Sequence, residues 1–98
     1  MGKNEIAISH IQDRIFTIRG MQVMIDSDLA KMYQVELKRL NEQVKRNEDR
    51  FPEHFSFQLT VEEYDSLKSQ IATSSGHGGR RYLPYVFTEQ GVSMLSAV

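Results

Sequence analysis

Apolar positions change period several times along this chain, and each change predicts an element. Residues 15–25 (IFTIRGMQVMI) are dense in β-branched and apolar side chains on both sides of Arg19-Gly20. They predict two strands joined by a tight turn, with Gly20 supplying a positive φ. From Asp26 the spacing lengthens to that of a helix. Asp26 or Ser27 can cap the free amides of the first turn, Asp28 suits the positive helix end, and Leu29, Met32 and Tyr33 form one apolar face. Gln34-Val35 breaks this helix. A second one over about 36–48 carries Leu37, Leu40 and Val44 at i, i+3 and i+7, the stripe that faces a core. Pro52 places a turn at 50–53, because it cannot continue a ladder of helical amides. Residues 55–59 (FSFQL) alternate apolar and polar, the mark of a half-buried strand. Thr60 and Glu63 form a capping box that opens a helix reaching about residue 70, with Leu59 and Tyr64 as its hydrophobic staple and Tyr64, Leu67 and Ile71 inward.

The remaining segments complete the outline. Residues 72–79 (ATSSGHGG) are small and Gly-rich, as a flexible loop requires. Residues 82–87 predict a strand, and Pro84 within it points to a sheet edge or a bulge. Thr88 caps a last helix, which Phe87 and Val92 can staple. Residues 4–12 suggest a short helix on which Ile8 and Ile11 share a face. The order (α)ββααβαβα is that of an α+β domain, with a small, largely antiparallel sheet and helices packed around it or against one face. Its helix pair is helix-turn-helix-like. One domain over 1–98 is expected. The last helix reaches Val98 without a stop signal, so the expectation is an N-terminal portion of a longer protein.

Composition narrows the classes of function. The chain has 98 residues, 40% hydrophobic and 26% charged, enough for one modest core. Its formal charge is −1, so any affinity for nucleic acid must come from the distribution of charge. There are no cysteines, which excludes disulfides and thiolate metal sites and fits a reducing compartment such as the cytoplasm. No apolar run is long enough to span a bilayer, so no membrane partner is expected.

The helix pair at 26–47 carries the main candidate chemistry. In a helix-turn-helix the first helix wants a small residue at the crossing, and Ala30 fits. The turn wants an apolar residue directed back into the core, and Val35 fits. At about 100° per residue, Lys38, Asn41 and Lys45 form one outward ridge with Arg39 and Arg46 beside it. Asn can read adenine edges, Arg can read guanine, and Lys mostly meets phosphate. The same helix also fits a solvated surface with internal ion pairs, since Glu42 precedes Arg46 by four residues. Gln34 stands where such turns often have Gly. The residues alone leave both interpretations open.

Other constellations are weaker. The Gly-rich loop followed by Arg80 and Arg81 could lie on a phosphate backbone, but it lacks the Lys-Ser/Thr ending of a nucleotide-binding loop. Taken alone, it fits a plain solvated connection better. His10, His54 and His77 are widely spaced, with none of the spacings that hold a metal. Glu62, Glu63 and Asp65 are explained by the helix end they occupy, and Ser74 and Ser75 have no base assigned to them. No enzyme activity, cofactor or small-molecule ligand is expected. Among the aromatic residues, only Tyr82 and Tyr85 are candidates for contact with nucleic acid.

The segments RGMQVMIDSDLAKMYQVELKRLNEQVKRN, RFPEHFSFQLTVEEYDSLKSQIATSSG and GGRRYLPYVFTEQGVSMLSAV together resemble the phage "ORF-six N-terminal" DNA-binding domain family. That family is related in usage to the KilA and Bro N-terminal domains of phages and large DNA viruses. The match runs from about residue 15 to 98. The resemblance implies the DNA-binding module of a phage or prophage transcriptional regulator or antirepressor, followed by a variable C-terminal region. Its expected partner is double-stranded DNA; the resemblance assigns no contact residues, and the helix geometry supplies Lys38, Arg39, Asn41, Lys45 and Arg46, with Arg80 and Arg81 on phosphates. A homodimer would predict a palindromic site. The alternative is a protein-interaction or dimerisation module without direct DNA contact.

Overall fold

The computed structural model describes residues 13–70 and 82–98. The helix expected over 4–12, the Gly-rich loop, Ile71, Arg80 and Arg81 lie outside these residues. The elements are β1 (Ile15–Ile18), β2 (Met21–Ile25), α1 (Asp26–Tyr33), α2 (Leu37–Arg46), a 3₁₀ turn (Glu48–Arg50), β3 (Ser56–Gln58), α3 (Val61–Gln70), β4 (Tyr85–Thr88) and α4 (Glu89–Ala97). This is the α+β class anticipated above. The sheet order is β1-β2-β4-β3, and every neighbouring pair is antiparallel.

The β1–β2 hairpin closes through Arg19 (φ 55°) and Gly20 (φ 74°). Two consecutive positive φ values are what a two-residue turn needs to match strand twist. Arg19 has no glycine-like freedom, yet its side chain is held. Its guanidinium grips Glu63 through Nε (2.8 Å) and Nη2 (3.1 Å) and lies 4.0 Å from the Phe57 ring centre. This pairing lowers the Glu63 pKa and raises that of Arg19, because each charge stabilises its partner.

Helices cover both faces of the sheet, the first of the two expected arrangements. On one side Phe16, Ile18, Val23, Ile25, Phe57 and Val86 pack with Tyr64 and Leu67 of α3. On the other, Met24 and Phe87 pack with Leu29 and Ala30 of α1, Leu40 of α2 and Phe51, flanked by Val92 and Leu95 of α4. Coverage of both faces explains why consecutive apolar residues are buried in each central strand, Val23 to Ile25 in β2 and Val86-Phe87 in β4. The capping box forms as expected, with the Thr60 amide donating to Glu63 Oε1 (2.9 Å) and the Glu63 amide to Thr60 Oγ1 (3.1 Å). Thr88 caps α4 by accepting from the Gly91 amide (3.3 Å).

Several local expectations need correction. Strand β4 starts at Tyr85 and is an interior strand. Pro84 is buried just before it, where its carbonyl accepts from the Leu59 amide at 2.9 Å and its missing N–H costs no ladder bond. The N-cap position of α1 is Ile25. Asp26 is the first helical residue, though its Oδ1 still accepts from the Ser27 amide (2.7 Å). In α1 the buried face is Leu29 and Ala30, whereas Met32 and Tyr33 are about two-fifths exposed, as is Val35 after it. The reason is the way α1 ends. Gln34 takes a left-handed conformation (φ 56°, ψ 45°), its amide bonds to Lys31 O, and the Val35 amide bonds to Ala30 O. This Schellman closure satisfies the last carbonyls and leaves Val35 outside the core. Helix α2 is shorter at each end than the expected 36–48.

Candidate nucleic-acid interface

Helix α2 is anchored by Leu40, which is buried, and by half-buried Leu37 and Val44. At about 100° per residue these three set the inner side, and the outermost position falls near Glu42. Lys38 and Lys45 lie on one flank of Glu42, with Asn41 further round towards the core. Arg39 and Arg46 lie on the other flank. All four basic side chains are exposed. The helix therefore carries four bases against one acid, while the other 88 residues carry eight bases against twelve acids. A net charge of +3 sits on one helix of a chain whose remainder is at −4.

The ion pair expected between Glu42 and Arg46 does not form. Instead Arg39 Nε stands 3.8 Å from Glu36 Oε1. Both side chains are about four-fifths exposed, so this contact is screened and leaves the guanidinium available.

The two flanks of α2 open onto different concavities. A groove of about 910 Å³ is lined by Lys38, Asn41 and Lys45 on one side and by Tyr82, Tyr85 and Gln58 on the other. Leu37, Val44, Phe51 and Leu83 give it an apolar component. Tyr82 is 72% exposed and Tyr85 39%, so both rings are accessible to a ligand. The structure thus brings the expected ridge together with the two tyrosines singled out from the sequence. Acidic Asp26, Glu42 and Glu48 share this groove. Arg39 and Arg46 border a second groove of about 470 Å³, with Tyr33, Val35 and Leu95. The seven expected contact residues therefore divide into three sets: Lys38, Asn41 and Lys45; Arg39 and Arg46; and Arg80 and Arg81, which lie outside the described residues.

Asn41 differs from the expected outward residue. It is half-buried, and its Nδ2 donates to Asp26 Oδ2 at 3.4 Å. The same oxygen accepts from the Tyr85 amide at 3.2 Å. Asp26 is fully buried and so joins the start of α1, the middle of α2 and the start of β4. Sequence reasoning gave Asp26 only a capping role. Two of its partners lie 15 and 59 residues away, and no local pattern carries such a link.

Among the described residues, no group of His, Cys, Asp and Glu could hold a metal ion. His54 is exposed and meets Phe55 edge-on at 4.9 Å, while His10 and His77 lie outside the described residues. No described helix is long and apolar enough to cross a membrane.

No curated protein and no solved structure matched the chain. A family model did: the model described as "ORF6N domain" matches residues 13–98, a span that contains every described element. On that match the chain belongs to the phage-type ORF6N domain family.

Proposed function

We propose that this chain is the duplex-DNA-binding module of a phage-type transcriptional regulator or antirepressor and works in the cytoplasm. The observation that carries the proposal is the separation of charge. Helix α2 holds +3 while the rest of the chain holds −4. A polyanion is attracted to α2 and opposed by the net charge of the remainder, so the field favours an orientation as well as a partner. Lys38, Arg39, Lys45 and Arg46 are exposed for phosphate or base contact, and Arg80 and Arg81 supply two further phosphate contacts. The reading requires no chemistry of the domain and no cofactor.

Six neutralised phosphates give a slope of log affinity on log salt of about −5. A gel-shift titration with a random duplex pool, repeated from low to high salt, measures it. Arg39→Ala with Arg46→Ala is expected to weaken binding strongly and to make the slope shallower by about two. Binding that ignores salt, or a folded double variant with unchanged affinity, counts against the proposal. A matched duplex RNA in the same titration decides between the two polyanions, because phosphate contacts alone look alike.

A second reading is supported by one observation. Met32, Tyr33 and Val35 are exposed around the α1–α2 turn, and two of them border the groove of Arg39 and Arg46. Apolar side chains framed by charge suit a protein partner or a second copy of the chain. Contacts in a pull-down that survive nuclease treatment favour this reading over DNA.

A further inference from the structure

We propose that Asn41 is the base-reading residue of α2, and that buried Asp26 is the positioning residue that orients its carboxamide to accept from an exocyclic amino group of a base. The inference rests on the DNA reading above and deepens it. A carboxylate only accepts hydrogen bonds, so the group within 3.4 Å of Asp26 Oδ2 must be the amide nitrogen of Asn41. That choice fixes the flip of the carboxamide. Oδ1 is turned away from Asp26, and it accepts from no described residue. Asn41 lines the larger groove between Lys38 and Lys45, where a duplex on α2 would lie.

Asp26 is held firmly enough to act as a template. It is completely buried, its Oδ1 accepts from the Ser27 amide, and its Oδ2 accepts from the Tyr85 amide of β4. Asn41 is therefore referenced to the sheet as well as to its own helix. Its neighbours Lys38 and Lys45 are exposed and have no such support, so they deliver charge without fixed direction.

A carbonyl acceptor that no described residue engages matches the amino groups exposed in the major groove, adenine N6 or cytosine N4, and mismatches guanine O6 and thymine O4. For adenine the second N–H of Asn41 remains to meet N7.

The test begins with selection of duplexes from a random pool by the full 98-residue chain. At each position of the winning site, adenine is replaced by purine, which lacks the N6 amino group, or cytosine by pyrimidin-2-one, which lacks the N4 amino group. At one position the wild-type chain is expected to lose about tenfold or more in affinity. Asn41→Ala is expected to lose nothing from the same replacement. The replacement that acts identifies the base. Asp26→Asn, if melting curves show it folded, is expected to lose the discrimination although Asn41 is intact. Asn41→Gln, which moves the amide away from Asp26, gives the same readout if Asp26→Asn does not fold. Lys38→Ala is the comparison: it should weaken all sequences alike and reduce the salt slope by about one.

Equal sensitivity of wild type and Asn41→Ala to every base replacement overturns the inference and leaves the DNA reading standing. Retained discrimination in folded Asp26→Asn, or in Asn41→Gln, overturns the positioning role. Failure to select any duplex overturns both the inference and the DNA reading.

Discussion

Gly91 offers the sharpest test of the packing. It is buried in the first turn of α4. A Cβ added there would stand 2.9 Å from the Phe55 carbonyl carbon and closer still to its oxygen. That oxygen is not a flexible obstacle. It accepts from the Thr88 amide at 3.0 Å, and the Thr88 hydroxyl donates to the adjacent His54 carbonyl at 2.8 Å, so it belongs to the joint between β4, α4 and the start of β3. In an ordinary helix interior, Gly→Ala gains about 1 kcal/mol of propensity. Here overpacking against backbone costs about 3 kcal/mol, and disturbing the Thr88–Phe55 bond costs about 1 more. Gly91→Ala should therefore destabilise the chain by about 3 kcal/mol. For a domain of this size that lowers Tm by about 12–24 °C. Thermal and urea unfolding followed by circular dichroism measure the change, with exposed Ser93→Ala as a near-neutral comparison on the same helix. A Gly91→Ala chain at least as stable as wild type would refute the close approach of α4 to Phe55, and with it the described seating of that helix.

Two further predictions concern single turns. Gln34→Gly should raise stability by about 0.5–1 kcal/mol, because a left-handed residue with a side chain is strained and Gly is not; an unchanged or lower urea midpoint would show that Gln34 is not left-handed. Glu63 has a pKa held below its ordinary value of 4.5 by Arg19 and the Thr60 amide, so its contribution to stability is present above that value and lost as pH falls through the folded-state pKa. Glu63→Gln should thus be less stable than wild type at neutral pH, and the gap should close in acid; a gap independent of pH would sink this account.

What was legible in the sequence was local. The capping box of Thr60 and Glu63, the cap at Thr88 and the Arg19-Gly20 turn each involve residues within three positions of one another. Their chemistry forms almost wherever the chain places them. The apolar stripe Leu37, Leu40 and Val44 was legible for the same reason, since one helix defines it. Pairings that join distant segments were not. Strand β4 lies between β2 and β3 because Val86 pairs with Ile25 and Phe57, residues 61 and 29 positions away. Pro84 signals an edge only for a strand that begins at residue 82, and β4 begins at Tyr85, after it. Helix turns commonly direct an apolar residue at the position of Val35 into the core, but here the Schellman bonds of Gln34 and Val35 direct it outward. In the candidate site the basic ridge was visible on the helical wheel. The turn of Asn41 towards Asp26 depends on burial that one helix cannot reveal.

The mixed charge of α2 bears on the kind of binding it would support. A helix about 10–12 Å across fills a major groove about 12 Å wide. One ridge then meets base edges, and residues about a quarter-turn round meet a phosphate wall. Lys38, Asn41, Glu42 and Lys45 stand at i, i+3, i+4 and i+7, the spacing of such a ridge, and Arg39 and Arg46 stand to one side of it. A surface meant only to hold phosphates would gain nothing from Glu42, which they repel. At a base edge the same carboxylate can accept from cytosine N4, as the Asn41 carbonyl can accept from an amino group. An acid within the ridge weakens attachment to arbitrary DNA and penalises sequences that offer it an acceptor, so it raises the difference between right and wrong sites. Interleaved signs argue against a purely electrostatic binder and suit a protein partner, and they fit a sequence-reading helix only where the neighbouring arginines supply the phosphate contacts.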